Sequence, residues 1–223
     1  MLDRFIQALL QEIIQILIQK PNFFELESSD KKEFLKELRI PSTVKEYLEE
    51  TSLENFLTDT RQFVEYTKNR NLTLSENNLL KAVANFLVNS FANDIYALPV
   101  EYFKLGSNEQ KAIVEKLITS DSMLGTTLRE ILVNNSAQEI SNNVQQFLHA
   151  TIKTPLVIIQ SPVEIEAEAK KEMQKQISEE LEIPCFPIFQ VNRNLIGGLR
   201  IFVNGVVKDY SWIKSINFIT SLK

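Results

Sequence analysis

The chain has 223 residues, of which 44% are hydrophobic and 24% charged, the balance of a soluble globular protein. Its net charge of −5 argues against a nucleic-acid binder that works by neutralising phosphates. One cysteine excludes a disulfide framework and a multi-cysteine zinc site, and one histidine removes most imidazole chemistry. The composition therefore favours a protein that is not an enzyme, and we expect no cofactor and no metal.

Residues 1–152 show the spacing of an antiparallel helical bundle. Apolar residues recur at three and four positions, and the connections between the periodic segments are short. Pro21 and Pro41 end the first two helices, and Ser29, Ser75 and Ser107 are predicted N-caps. The predicted helices cover residues 2–19, 29–39, 42–50, 52–69, 75–93, 107–119, 124–133 and 137–150.

The opening helix carries a wide apolar face that allows three interpretations. The face consists of residues spaced as in a short heptad seam: Leu2, Ile6, Leu9, Ile13 and Ile16. We favour an ordinary bundle helix over a partner-docking helix, and over a membrane-surface helix because its polar face lacks Lys and Arg. Polar residues interrupt the apolar stretch early, so we expect neither a signal peptide nor a membrane span.

The second part of the chain, residues 153–223, begins with a strand and a helix. Pro155–Gln160 is a compact β-branched run that predicts a buried strand. Ser161, Pro162 and Glu164 then have the residue types of a helix start with a capping box. The helix that follows presents an apolar residue at every fourth position: Ile165, Ala169, Met173, Ile177 and Leu181. Pro184 ends it.

Three further strands and a last helix complete the prediction. The strands cover Phe186–Val191, Leu199–Val203 and Val206–Lys208, and Asn204-Gly205 is a strong signal for a two-residue hairpin turn. Ser211 caps a final helix whose apolar face includes Trp212, Ile216 and Ile219. The predicted fold is mainly α: a helical bundle over 1–152 followed by a small α+β domain over 153–223 with the order β-α-β-β-β-α.

Gly197-Gly198 is predicted to be a structural turn. A phosphate-binding loop would lead from a strand into a helix and would be followed by Lys and Ser or Thr, whereas these glycines lead into a strand. A turn or bulge that lets two strands approach closely explains them better.

Other residues with reactive, charged or aromatic side chains are also predicted to have structural roles. Asp209 is predicted to be a turn acid, and Trp212 a core anchor, with an interface hot spot as the alternative. Cys185 is interpreted as a small hydrophobe, and His149 as a last-turn residue that complements the helix dipole. An acidic cluster is interpreted as a solvated first helical turn rather than a metal site: Glu164, Glu166 and Glu168.

The C-terminal part resembles a known family. Over residues 155–215, the order of strand, helix, strand, Asn-Leu-Ile-Gly-Gly, strand, turn, strand, Asp-x-Ser and terminal helix is similar to the C-terminal domain of the δ subunit of F-type ATP synthases. The mitochondrial counterpart is the oligomycin-sensitivity-conferring protein. The family-motif residues here are Gly197, Gly198, Asp209 and Ser211. Tyr210 stands where the family usually has a glycine.

This resemblance implies a peripheral-stalk, or stator, subunit that makes and breaks no bonds. In the family a six-helix bundle binds N-terminal helices of the α subunits, and the C-terminal domain holds the end of the membrane-anchored b stalk. The helical part here is longer, so extra helices are expected over roughly residues 1–40. The expected location is the cytoplasmic face of a membrane, without a span. The alternative hypothesis is a cytoplasmic adaptor or regulatory binding module that uses the same α+β domain.

Overall fold

A computed structural model describes residues 1–69, 76–99 and 101–212, and the chain divides into two compact units. The first unit consists of Met1–Phe91 and Glu101–Lys153, and the second of Ala92–Val100 and Thr154–Lys223. The second unit therefore includes a short segment from the middle of the helical part. The predicted fold class, mainly α with a small α+β domain, is confirmed.

The helices of the first unit follow the predicted pattern closely. The α-helices are α1 Leu2–Gln19, α2 Ser28–Lys36, α3 Ser42–Glu50, α4 Leu53–Lys68, α5 Asn78–Phe86, α7 Ser107–Leu117, α8 Met123–Asn134 and α9 Ala137–Ile152. A π-helical stretch, Leu87–Phe91, follows α5, and α6 (Ala92–Tyr96) continues from it in the second unit. Two 3₁₀ turns, Phe23–Glu25 and Tyr102–Lys104, join helices.

Several predicted helix starts are wrong by one or more residues. Ser29 lies inside α2, whose N-cap is Glu27, and Ser107 is the first residue of α7, whose N-cap is Gly106. Asn77 rather than Ser75 caps α5, because the Asn77 side chain accepts the Leu80 N–H, and Ser75 lies outside the described residues. A polar side chain near a helix start thus does not fix the first residue by itself.

The apolar face of α1 is buried, which confirms that α1 is a bundle helix. Leu2, Ile6, Leu9, Ile13 and Ile16 are each at most 8% exposed. α1 packs against α8 and α9, and its Phe5 ring stacks on Phe86 of α5 with centroids 5.5 Å apart. α5 lies at the centre of the unit, in contact with α3, α4 and α9.

A buried polar network joins α3, α4 and the start of α5. The Asp59 carboxylate accepts the Tyr47 hydroxyl at 2.8 Å and the Leu79 N–H at 3.3 Å, and burial raises the pKa of Tyr47 further above its usual value. The Asn77 side-chain amide donates a hydrogen bond to the backbone carbonyl oxygen of Asp59 at 2.7 Å. Asp59 therefore satisfies donors from two other helices in an otherwise apolar region.

We predict that Asp59→Leu lowers the free energy of unfolding of the first unit by about 2–4 kcal/mol, because it leaves the Tyr47 hydroxyl and the Leu79 N–H buried without an acceptor. Urea unfolding followed by circular dichroism measures the loss. Tyr47→Phe is the matched control, and adding it to Asp59→Leu should restore part of the stability, since one stranded donor is then gone. A loss below about 0.5 kcal/mol in Asp59→Leu would contradict this role.

The second unit contains a four-stranded mixed sheet. Its strands are β1 Val157–Ser161, β2 Ile188–Val191, β3 Arg200–Val203 and β4 Val206–Asp209. The order is β2-β1-β3-β4, with β1 parallel to β2 and antiparallel to β3. The predicted Asn204-Gly205 hairpin turn is confirmed, since both residues have positive φ, 49° and 83°. The predicted terminal helix, with Ile216 and Ile219, lies outside the described residues.

Helix α10 (Ala167–Leu181) covers one face of the sheet with the predicted apolar residues. Ile165, Met173, Ile177 and Leu181 pack against a buried cluster of Val157, Ile159 and Cys185. The predicted helix start at Ser161 is wrong, however. Ser161 pairs with Val191 as the last residue of β1, and strand pairing therefore prevails over the local capping pattern.

The segment Ala92–Val100 supplies the second unit with an aromatic residue. The Tyr96 ring stacks on Phe186 at 6.2 Å and meets Phe189 edge-on at 5.5 Å, and its hydroxyl donates to the Pro187 carbonyl at 3.5 Å. Tyr96 is only 5% exposed, so these contacts form part of the core of the unit.

Candidate functional site

The four residues singled out by the family resemblance lie together in the second unit. Gly197 and Gly198 precede β3, whereas Asp209 ends β4 and Ser211 follows it. Beyond the β3–β4 hairpin, two more hydrogen bonds continue the pairing: Tyr210 N–H donates to Leu199 O at 2.8 Å, and Trp212 N–H donates to Gly197 O at 3.1 Å. We call Gly197, Gly198, Arg200, Asp209, Ser211 and Trp212 the double-glycine site.

Gly198 occupies a position that excludes a side chain. Its φ is +74°, in the region that favours glycine, and a Cβ atom there would lie 2.2 Å from the Tyr210 carbonyl oxygen. The neighbouring backbone cannot move away without breaking the Tyr210–Leu199 hydrogen bond. The structural interpretation of the glycine pair as a close backbone approach therefore agrees with this geometry.

Gly197 supports the only tryptophan of the chain. A Cβ atom at Gly197 would lie 2.6 Å from Cδ2 and Cε3 of Trp212, so the indole rests directly on the glycine backbone. The same tryptophan is 62% exposed. The prediction that Trp212 is a core anchor is therefore wrong: the turn places one part of the ring against the glycine and leaves the rest in solvent.

Asp209 links the two strands to the turn that follows. Its Oδ2 accepts hydrogen bonds from Arg200 Nε at 3.1 Å and Nη2 at 2.9 Å, and its Oδ1 accepts the Ser211 N–H at 2.8 Å. The Ser211 hydroxyl and N–H, together with the Arg200 guanidinium, lower the pKa of Asp209 from 3.8 to about 2. Asp209 is thus the turn acid that the sequence indicates.

Sequence reasoning missed Arg200, although a usable signal exists. Counting back from a two-residue Asn-Gly turn pairs Val203 with Val206 and, three steps later, Arg200 with Asp209. Opposite charges on directly paired residues of antiparallel strands predict an ion pair.

The other residues with reactive or charged side chains make packing contacts and ion pairs within the second unit or lie in the last turn of a helix. Cys185 is fully buried, its thiol lies 3.4 Å from the Ser178 hydroxyl, and burial raises the pKa of the thiol. His149 lies in the last turn of α9, as predicted. The acidic cluster does not form one helical turn, because α10 begins at Ala167: Glu164 pairs with Lys170, and Glu168 pairs with Lys171 at 3.0 Å.

The first unit has two apolar surface features, a row of exposed side chains and a groove. Leu53, Leu57 and Val64 are 44–53% exposed along one side of α4. Beside the half-exposed Met123, a groove of about 210 Å³ runs between α1, the start of α8 and the α2–α3 connection, and its lining includes Gln15, Ile16, Leu38, Ile40 and Ser122. Such features suit the docking of another chain better than they suit chemistry.

Within the ranges that the structure describes, no three His, Cys, Asp or Glu side chains are placed to hold a metal ion. Over the same ranges, no helix has the length and apolar content to cross a bilayer.

Comparisons with known proteins find no close relative. No protein-family model matches the chain, and no curated protein sequence matches it. Among solved structures, a chain of the Toxoplasma gondii mitochondrial ATP synthase hexamer aligns with 88% of this chain and 94% of its own length, at 11% identity and a TM-score of 0.27. A structural likeness this weak does not establish a shared fold.

We predict that Gly198→Ala destabilises the second unit more than Gly205→Ala does. Both glycines have positive φ, but no atom lies within 4 Å of a Cβ at Gly205, so that substitution isolates the cost of the backbone conformation, about 1–2 kcal/mol. The overlap with the Tyr210 carbonyl should add at least about 1–3 kcal/mol at Gly198. Urea unfolding followed by Trp212 fluorescence measures both losses, and equal losses would contradict the close approach.

We also predict a pH dependence from Asp209. Since folding lowers the pKa of this carboxyl from 3.8 to about 2, its stabilising effect is complete above about pH 4 and is lost as the pH falls toward 2. Asp209→Asn should therefore reduce the stability of the second unit at pH 7, and the difference from the unaltered protein should shrink between pH 4 and pH 2. A difference that stays constant over this range would exclude the ionised carboxylate as its cause.

Proposed function

We propose that this chain is a peripheral-stalk subunit of a rotary F-type ATP synthase, which links the catalytic head to the membrane-anchored b stalk. In this proposal the helical unit binds N-terminal helices of the α subunits, and the second unit binds the b stalk. The chain is non-catalytic and lies peripherally on the cytoplasmic side of the membrane.

The convergence of the family-motif residues carries this proposal. Gly197, Gly198, Asp209 and Ser211 carry the family resemblance, and they form one hydrogen-bonded structure in which each has a definite part. The glycines let two backbone segments meet, and Asp209 ties the ends of the paired strands to the following turn. The residues on which the resemblance rests thus belong to one structural feature of this chain, which supports the proposal.

The physical task of a stator also suits this architecture. A subunit that resists torque must dock firmly and deform little, and it needs no reacting groups. Apolar side chains on the surface of the helical unit, at α4 and beside the groove along α1, offer contact area for helices of another protein. The paired strands and the ion pair at the double-glycine site stiffen the second unit.

Capture from the native cell tests the proposal. The tagged protein is recovered from gently solubilised membranes, and the co-purifying proteins are identified and quantified. We expect α, β and b-type ATP synthase subunits in near-constant ratio. Gly198→Ala, in which only the second unit is disturbed, should lower the recovery of the b-type subunit more than that of α, whereas Gly205→Ala should lower it less.

Enrichment of other proteins without any ATP synthase subunit would reject the stator function and favour the adaptor hypothesis. Deletion of the gene provides an independent measurement: the catalytic head should dissociate from the membranes, and it should stay bound if this chain has another role.

A further inference from the structure

Three large side chains stand exposed around the double-glycine site. Ile196 is 65% exposed, Tyr210 62% and Trp212 62%. They come from two chain segments that the hydrogen bonds Tyr210–Leu199 and Trp212–Gly197 hold side by side. We call Ile196, Tyr210 and Trp212 the aromatic patch.

The aromatic patch is held rigidly although it is exposed. The backbone N–H of Trp212 donates a hydrogen bond to the Gly197 carbonyl, and the indole ring rests on the Gly197 backbone. Ser211, between the two aromatic residues, donates its backbone N–H to the Asp209 carboxylate. An exposed indole would ordinarily sample several rotamers in solvent. Fixing it before a partner arrives lowers the entropy lost on binding, which is the usual advantage of a preorganised contact residue.

The loop that leads to the aromatic patch carries one positive charge without an ion pair among the described residues, which favours an acidic partner. Residues 183–212 contain three basic residues and one acidic residue, whereas residues 164–182, which include α10, contain three basic and seven acidic residues. Arg200 is paired with Asp209, and Lys208 with Glu180. Arg193, on the loop that leads to Ile196, is exposed and forms no ion pair within the described part of the chain.

We propose that the aromatic patch binds a segment of the stalk polypeptide in which an apolar side chain is flanked by carboxylates. The apolar side chain contacts Trp212, and the carboxylates face Arg193. Tryptophan, tyrosine and arginine are the residue types that dominate binding energy at protein interfaces. This inference rests on the proposed stator function and assigns residues to its stalk contact.

A lipid surface suits the aromatic patch less well. Aromatic residues do favour the membrane interface, but electrostatic attachment to anionic lipid takes clusters of about four to eight basic residues. Here a single exposed arginine accompanies the aromatic patch, and the neighbouring α10 segment is acidic.

Rebinding to membranes that lack the protein tests the inference. Membranes from a strain without the gene, which retain the b stalk, are washed and titrated with the purified full chain, and co-sedimentation gives Kd. Trp212→Ala should raise Kd about 30-fold, the effect of losing a central contact residue. Gly197→Ala, which retains the tryptophan but pushes its ring off the glycine backbone, should raise Kd by a smaller factor. Trp212→Phe should restore part of the affinity that Trp212→Ala loses.

Matched controls separate binding from folding. Val163→Ala removes a side chain of the same unit that is 67% exposed and lies outside the aromatic patch, so it should leave Kd unchanged. Arg193→Glu should raise Kd a few-fold, more at low salt than at high salt. Thermal unfolding of each variant confirms that the second unit remains folded under the conditions of the titration.

The possible results discriminate between the proposals. If the unaltered protein rebinds but Trp212→Ala binds equally well, the aromatic patch is not the stalk contact, and the stator function stands. If the unaltered protein does not rebind at all, both proposals fail. Equal binding to protein-free vesicles of the extracted lipid would overturn the protein partner, and a dimer in light scattering that Trp212→Ala dissociates would assign the aromatic patch to a second copy of the chain.

Discussion

The second unit depends on two backbone segments that meet with no side chain between them. At Gly198 the Tyr210 carbonyl occupies the place of a Cβ atom, and at Gly197 the indole of Trp212 does so. This approach allows the strand pairing to continue past the hairpin, and that continuation sets the positions of Asp209, Ser211 and Trp212. An ion pair across the same strands stabilises the arrangement at a partly exposed edge, where its geometry matters more than its modest free energy. The glycines therefore determine what the last described residues can present to a partner.

The first unit reaches stability by a different route. Its helices bury continuous apolar faces around α5, and one buried acid, Asp59, satisfies donors that helix packing alone would leave without acceptors. Since every member of this network has a partner, the network specifies how α3, α4 and α5 fit together at little net loss of stability. The two units thus combine an ordinary helical core with a sheet whose exposed end is shaped by backbone geometry.

Most elements could be predicted because their causes are local. Pro21 follows the end of α1, apolar spacing marks the buried faces, and Asn204-Gly205 dictates its turn. Pro41 does not end α2, which stops at Lys36, but is the N-cap of α3. The misplaced starts of α2 and α7 are local shifts of one or two residues, whereas at Ser161 a distant partner prevails: Ser161 fits a capping pattern, yet pairing with β2 retains it in a strand. The glycine pair and Asp209 were predicted from their chemistry. The exposure of Trp212 was not, because hydrophobicity indicates burial unless a specific contact, here with Gly197, holds the residue outside the core.

Tyr96 constrains the order in which the second unit can fold. Its hydroxyl contact with Pro187 joins residues 91 positions apart, so the aromatic core of this unit cannot close until that length of chain has been synthesised. At translation rates of about 5–20 residues per second, the α6 segment waits roughly 5–20 s for Phe186 and Phe189 to emerge. During this interval the nascent chain carries an aromatic residue without its final neighbours. Helix α6 is thus made early and becomes part of its core late.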